Sequence, residues 1–284
     1  MKNLLKADFY RAKKDKLLLI GLIVAIGLVL FQIIMVKGIV MASDAADVEA
    51  EEVGKALGTS GLAMWFNGIS IMGNTTQYII PIFLTIFFVK EFSDRTIRNK
   101  LIVGYSRTQI FFSIIIVHAV LSVIFYLAVS LIGLLFGSLL FGFGTTFNGS
   151  TFGLMIIGFI IEFLLSYVLI GFAIIFSINK QSIVLGIVIP IIVATVISIL
   201  GAVAMFVNPN FEKVLSFFNF YQASEIQGFT DISELTVRTI VKAGDETTYY
   251  LPLTPLARIL IINPIIVVAE LLIGYRFFRK IQFK

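Results

Sequence analysis

Two sets of polar residues in this 284-residue chain stand where side chains can do chemistry or transmit work. The first comprises His118, Glu162 and Glu270, ionisable groups inside long apolar stretches. At bilayer depth such groups are costly, so each is a candidate for handling protons or lining a pathway, and equally for a structural bond between helices. Glu162 lies well inside its stretch, about 15 Å from the start at helical rise, near the middle of a span. His118 is read as an interhelical hydrogen bond, and Glu270 as an anchor reaching Arg276 or water. The second set is KEFSDRTIRNKLIVGYSRTQIF, Lys90 to Phe111, too polar to span a membrane and too patterned to be a passive linker. With no cysteine and one histidine, the chain has no thiol chemistry, no disulfide framework and no zinc site of the usual ligand types.

The elements that must position these residues follow from composition. Hydrophobic residues make up 58% of the chain and charged ones 14%, with a mean hydropathy of +1.01. That excludes a soluble enzyme, a nucleic-acid binder and a disordered tail. Six apolar runs are long enough to cross about 30 Å of hydrocarbon as helices: Leu17 to Val36, Ile71 to Val89, Ile110 to Phe136, Phe152 to Ile178, Ile183 to Val207 and Ala257 to Tyr275. They are apolar all round, unlike the alternating strands of a barrel. The expected fold is thus an all-α membrane protein with six transmembrane helices in a single domain, 1–284.

Most of the 22 Lys and Arg residues fall before the first run, between Lys90 and Arg107, at Lys180 and after Tyr275. Positive charge marks cytoplasmic segments, so both termini are expected inside. Residues 1–16 form an interfacial helix with Leu5, Phe9 and Ala12 as its apolar stripe. Residues 43–68 suit a short outer helix anchored at the interface near Trp65 and Phe66. The segment 208–255 is expected to make a small extracellular cap, with a hairpin of Leu235 to Val241 and Thr247 to Leu251. Pro81, Pro190 and Pro264 permit bends within spans, and Gly133 with Gly137 fits a close helix contact.

The Lys90–Phe111 segment reads as a short helix braced by two spans. Ser93 or Asp94 can cap its start, Ile97 and Leu101 share one face, and Gly104 can end it in a left-handed conformation. Ser106 and Gln109 form a capping box for the third span. Arg95, Arg98 and Lys100 are then available to the cytoplasm. This segment resembles the coupling segment of type-2 ATP-binding-cassette (ABC) permeases, through Glu91, the run Thr96-Ile97-Arg98-Asn99-Lys100-Leu101 and the run Gly104-Tyr105-Ser106-Arg107-Thr108-Gln109-Ile110. The likeness is strongest to bacterial exporters and antibiotic-peptide immunity systems. Asp94-Arg95 departs from relatives that place a glycine before the Thr-Ile-Arg run.

The resemblance implies that Glu91 orients the rod, that Asp94, Arg95, Arg98, Asn99 and Lys100 serve contact with an ATPase subunit, and that Ser106 and Arg107 fix the start of the third span. It implies a non-enzymatic transport subunit of a bacterial cytoplasmic membrane, exporting a hydrophobic or amphipathic cargo such as a peptide, antimicrobial or lipid. The chain carries no G-x-x-x-x-G-K-[ST] phosphate loop, so ATP and Mg are expected on two partner ATPase chains, and no cofactor or metal on this one. A second permease subunit, identical or related, would complete the pathway. Two other classes fit the same residues: an ion-coupled secondary transporter using Glu162 and His118, and a non-transporting membrane sensor or immunity protein that captures a ligand with 208–255.

Overall fold

A computed structural model of the chain describes residues 1–45, 59–65, 75–94, 96–144, 146–180, 213–218, 232–238, 240–243 and 247–280, with single positions between 184 and 222. Helix α1 (Lys2–Lys14) stops at Asp15, whose extended backbone (φ −78°, ψ 112°) breaks it. The Asp15 carboxylate accepts a hydrogen bond from the Leu17 amide at 2.8 Å, which caps α2 (Lys16–Ala45). One aspartate thus ends one helix and starts the next.

The short α3 (Gly61–Trp65) precedes α4 (Thr75–Ser93), α5 (Thr96–Ile102) and α6 (Arg107–Phe141). Helix α7 (Gly149–Lys180) is capped by Asn148, whose side chain accepts from the Thr151 amide at 2.8 Å. The last helix, α8 (Pro255–Lys280), opens with proline at its first position, where the missing N–H costs nothing. Among the described residues, three segments are long and apolar enough to cross a membrane: Lys16–Ser43, Arg107–Phe141 and Pro255–Lys280. Helices α4 and α7 cover the second and fourth expected runs. The fifth, Ile183 to Val207 with Pro190, lies mostly outside the described residues.

Helices α2, α4 and α6 share the main core, which includes Val29, Ile33, Leu84, Phe88, Ile114 and Val129. At one end it closes on aromatic rings, with Phe111 and Phe278 5.5 Å apart and Phe92 and Phe278 6.2 Å apart. A smaller core at the other end joins Leu62, Trp65, Leu154, Met155, Leu235 and Ile259. Here α3 lies on α6 at Gly137, where an added Cβ would come within 2.6 Å of Met64 Cγ and 3.2 Å of Gly61 Cα. Glycine therefore serves close contact at Gly137, as its spacing suggests.

Two features of the segments expected outside differ from expectation. Trp65 does not stand as an interfacial anchor. Its ring is buried, and Nε1 donates to the Met155 carbonyl at 3.0 Å, because that satisfies the one polar atom of the indole inside an apolar contact. The expected first strand also begins late. Ile232–Thr236 is a tight 3-10 turn that sinks Leu235 into the core, with Thr236 Oγ1 donating to the Ser233 carbonyl at 2.7 Å. Strand β1 (Ile240–Ala243) then pairs antiparallel with β2 (Thr247–Tyr250), Ile240 opposite Tyr250 and Ala243 opposite Thr247.

Candidate functional site

The inward face of α1 is set by the four-residue step of a helix. Leu4, Asp8 and Ala12 are buried, while Leu5 and Phe9 flank them half-buried. The stripe expected from Leu5, Phe9 and Ala12 is therefore displaced by one position, and an acid sits at its centre. The displacement has a cause: Asp8 finds cationic and hydroxyl partners in the protein.

Lys100 of α5 supplies the cation. Its Nζ lies 2.7 Å from Asp8 Oδ1 and 2.8 Å from Glu91 Oε2. Glu91, at the end of α4, also pairs with Arg11 of α1. Ser113 of α6 donates its hydroxyl to Asp8 Oδ2 at 2.6 Å. Arg11 further lies 4.9 Å from the centre of the Phe87 ring. Two carboxylates and two cations thus form a neutral cluster that binds α1, α4, α5 and α6 at one point. Asp8, Glu91 and Lys100 are only 3%, 2% and 8% exposed. Charges this buried are stable only as partners, and removing one of them leaves another uncompensated.

Lys100 is accordingly not a free cytoplasmic cation. At positions 97 and 100 the short helix turns Ile97 and Lys100 inward, whereas Arg98 and Asn99 are exposed. Three-residue spacing puts the inward pair on one face and leaves the residues between them on the other. Ser93 is the last residue of α4 rather than the cap of α5, and Asp94 is an exposed turn residue whose amide donates back to Lys90. Arg95 lies outside the described residues.

The end of α5 follows its sequence closely. Gly104 adopts φ +100°, its amide donates to the Leu101 carbonyl at 3.0 Å, and the Tyr105 amide donates to the Lys100 carbonyl at 3.2 Å. This is the paired closure of a left-handed helix terminus. Ser106 then caps α6: its hydroxyl accepts from the Gln109 amide at 3.2 Å, and its own amide donates to Gln109 Oε1 at 3.0 Å. Two residues further anchor this corner to α8. Arg107 Nη1 donates to the Arg279 carbonyl at 2.5 Å, and the Thr108 and Tyr275 hydroxyls meet at 2.7 Å.

Of the intramembrane candidates, His118 and Glu270 have described surroundings, and these differ. His118 is buried between Phe87 and Phe88, 6.1 Å and 5.5 Å away by ring centres, and neither ring nitrogen has a hydrogen-bond partner among the described residues. Among the described residues the rings beside it, Phe87 and Phe88, offer edges and faces but no lone pair for the expected interhelical hydrogen bond. Glu270 is buried against α7 at Gly171, where an added Cβ would run into its carboxylate. It has no hydrogen-bond partner among the described residues and does not reach Arg276. Six positions on are about 240° around the helix, on another face. Glu162 belongs to α7, and its side chain lies outside the described residues.

Sequence reasoning missed a further polar group near the start of α8. Arg258, fully buried, donates to the Ser216 carbonyl at 3.3 Å, and Asn263 Nδ2 donates to Gln222 Oε1 at 2.8 Å. The signal was present, since both residues interrupt an apolar run.

A family profile described as ABC-2 family transporter protein matches residues 4–201, well over half of the chain. That span takes in all but the first two residues of α1, the whole of α2 through α7, and the whole ion cluster. No curated protein matches the chain.

Proposed function

Because the chain belongs to the ABC-2 family of transporter membrane proteins, we propose that it is one permease subunit of an exporter in a bacterial cytoplasmic membrane. In this reading it has six spans with both termini inside. It pairs with a second, identical or related permease, and each permease rests on a cytoplasmic ATPase. Hydrolysis belongs to the partner chains, which bind ATP and Mg. The cargo class we infer is hydrophobic or amphipathic: a peptide, antimicrobial or lipid.

The observation that carries this reading is the two-sided character of α5. Its inner side, Ile97 and Lys100, is fixed in the core and the ion cluster, and its outer side presents Arg98 and Asn99. A rod held at its back can transmit a push, whereas a loop would absorb it. Thrust on Arg98, Asn99 and the neighbouring Asp94 and Arg95 would pass through Lys100 to Glu91 and Asp8, and through the Ser106 cap and Arg107 to α6 and α8. ATP-driven closure of the ATPases would thereby tilt α4 and α6 together and change access to the pathway.

Charge reversal at Arg95 and Arg98 together tests this. The expected result is loss of ATPase co-purification and of transport, with the permease still present in the membrane. Association and transport both intact would reject the coupling role.

A further inference from the structure

Beside the ion cluster, a cavity of about 420 Å³ opens where α1, α2 and α4 meet. It is lined by Arg11, Lys14, Lys16 and Lys90, by Asp15 and Asp94, and by Leu17 and Phe87. Four cations face two carboxylates. Asp15 is already committed to Lys90 at 3.1 Å and to the Leu17 amide. Arg11 is paired with Glu91 but keeps its Nε without a hydrogen-bond partner among the described residues. Lys14 and Lys16 are exposed and make no ion pair among the described residues. The cavity therefore has a surplus of positive charge: with Arg11 set against Glu91 and Lys90 against Asp15, Lys14 and Lys16 face Asp94 alone among the described lining residues.

Its position adds the second half of a ligand. Lys16 begins α2, and the apolar run of that helix starts at the next residue. Leu19, Ile20 and Ile23 continue from Lys16 at helical spacing and are exposed apolar side chains. A molecule with its anion among Lys14, Lys16 and Arg11 and its hydrocarbon along Leu19, Ile20 and Ile23 would match both surfaces. We propose that this cleft binds the phosphate headgroup of an anionic membrane lipid. The chemistry recognised is a phosphate ester, and the adjoining apolar stripe favours a lipid over a soluble phosphate. The proposal requires α2 to cross the bilayer and does not require an ATPase partner, so it can fail while the coupling reading stands.

The test uses the delipidated full-length chain in detergent, with native mass spectrometry reading retained lipid. Phosphatidylglycerol should be retained in clear preference to phosphatidylcholine. Lys14→Ala with Lys16→Ala should weaken phosphatidylglycerol retention by about tenfold, given the attraction each basic residue supplies near an anionic surface. Lys2→Ala with Lys6→Ala removes the same charge from exposed positions of α1 outside the cleft and should change retention less than about twofold. Gln in place of Ala at Lys14 and Lys16 should give the same loss, which excludes a folding artefact. Equal retention of the two lipids, or equal loss from both lysine pairs, would overturn the proposal. So would glycerol phosphate binding as tightly as the lipid, which would assign the cleft to a soluble phosphate.

Discussion

Lys100 and Asp8 meet at 2.7 Å across the junction between the short helix α5 and the N-terminal helix α1. The contact converts what would be an external basic rod into an element tied into the bundle. Lys100→Met should remove the cation from two buried carboxylates and cost about 3–5 kcal/mol. Arg98→Ala, two positions away and exposed, should stay within about 0.5 kcal/mol. Thermal unfolding of the purified chain distinguishes them, and similar melting of the two variants would mean that the cluster does not hold α5. Adding Asp8→Asn to Lys100→Met should recover part of the loss, since the two sites share one interaction.

Gly104 closes α5 in a conformation that an L side chain adopts only at a cost. Gly104→Ala should lose about 1 kcal/mol, and Gly104→Asn less, because asparagine tolerates the left-handed region. If α5 transmits thrust, the alanine variant should also weaken the stimulation of the partner ATPase by cargo. Unaltered stability and stimulation would count against a rigid corner.

Ser106 and Gln109 satisfy one another's backbone amides, so their contributions are shared. Ser106→Ala and Gln109→Ala should each cost roughly 1 kcal/mol, with the double variant costing less than the sum. Hydrogen exchange at the Gln109 amide reads this locally: protection should fall in Ser106→Ala. Unchanged exchange would show that the cap is not formed in the membrane.

Gly171 and Glu270 compete for one space. Gly171→Ala should displace the Glu270 side chain and destabilise the α7–α8 contact by roughly 1–3 kcal/mol, and Glu270→Ala should relieve it. Glu270→Gln keeps the shape and removes the titratable group. ATP-driven transport should survive that change and Glu162→Gln alike, whereas an ion-coupled carrier using Glu162 and His118 would stop on Glu162→Gln.

The legible parts of the fold were those set by local chemistry. The Gly104 terminus, the Ser106–Gln109 box and the helices over most apolar runs depend on residues within one or two turns of each other, and the structure reproduces them. Lys100 was misread because its partners, Asp8 and Glu91, lie on other helices, and periodicity within α5 does not reveal which charge finds a mate. Asp8 itself carried a signal: it is the one acid within the strongly basic α1, four residues from Leu4 and from Ala12. The surroundings of His118 and Glu270 were not legible for a related reason. A sequence shows that a polar group is inside an apolar run, but their neighbours, two phenylalanines and a glycine, come from α4 and α7. In the outer segment, the 3-10 turn at Ile232–Thr236 won over strand propensity because it buries Leu235.

In the proposed coupling role the outer side of α5 meets a separate ATPase. The chain has no cysteine, so a single thiol can be placed there by Arg98→Cys and linked to its neighbours in native membranes. An ATPase adduct is expected from Arg98→Cys, and none from Val214→Cys, an exposed position on the segment joined to the start of α8 through Ser216 and Arg258. Absence of an ATPase adduct at Arg98, or equal yield at Val214, would contradict it.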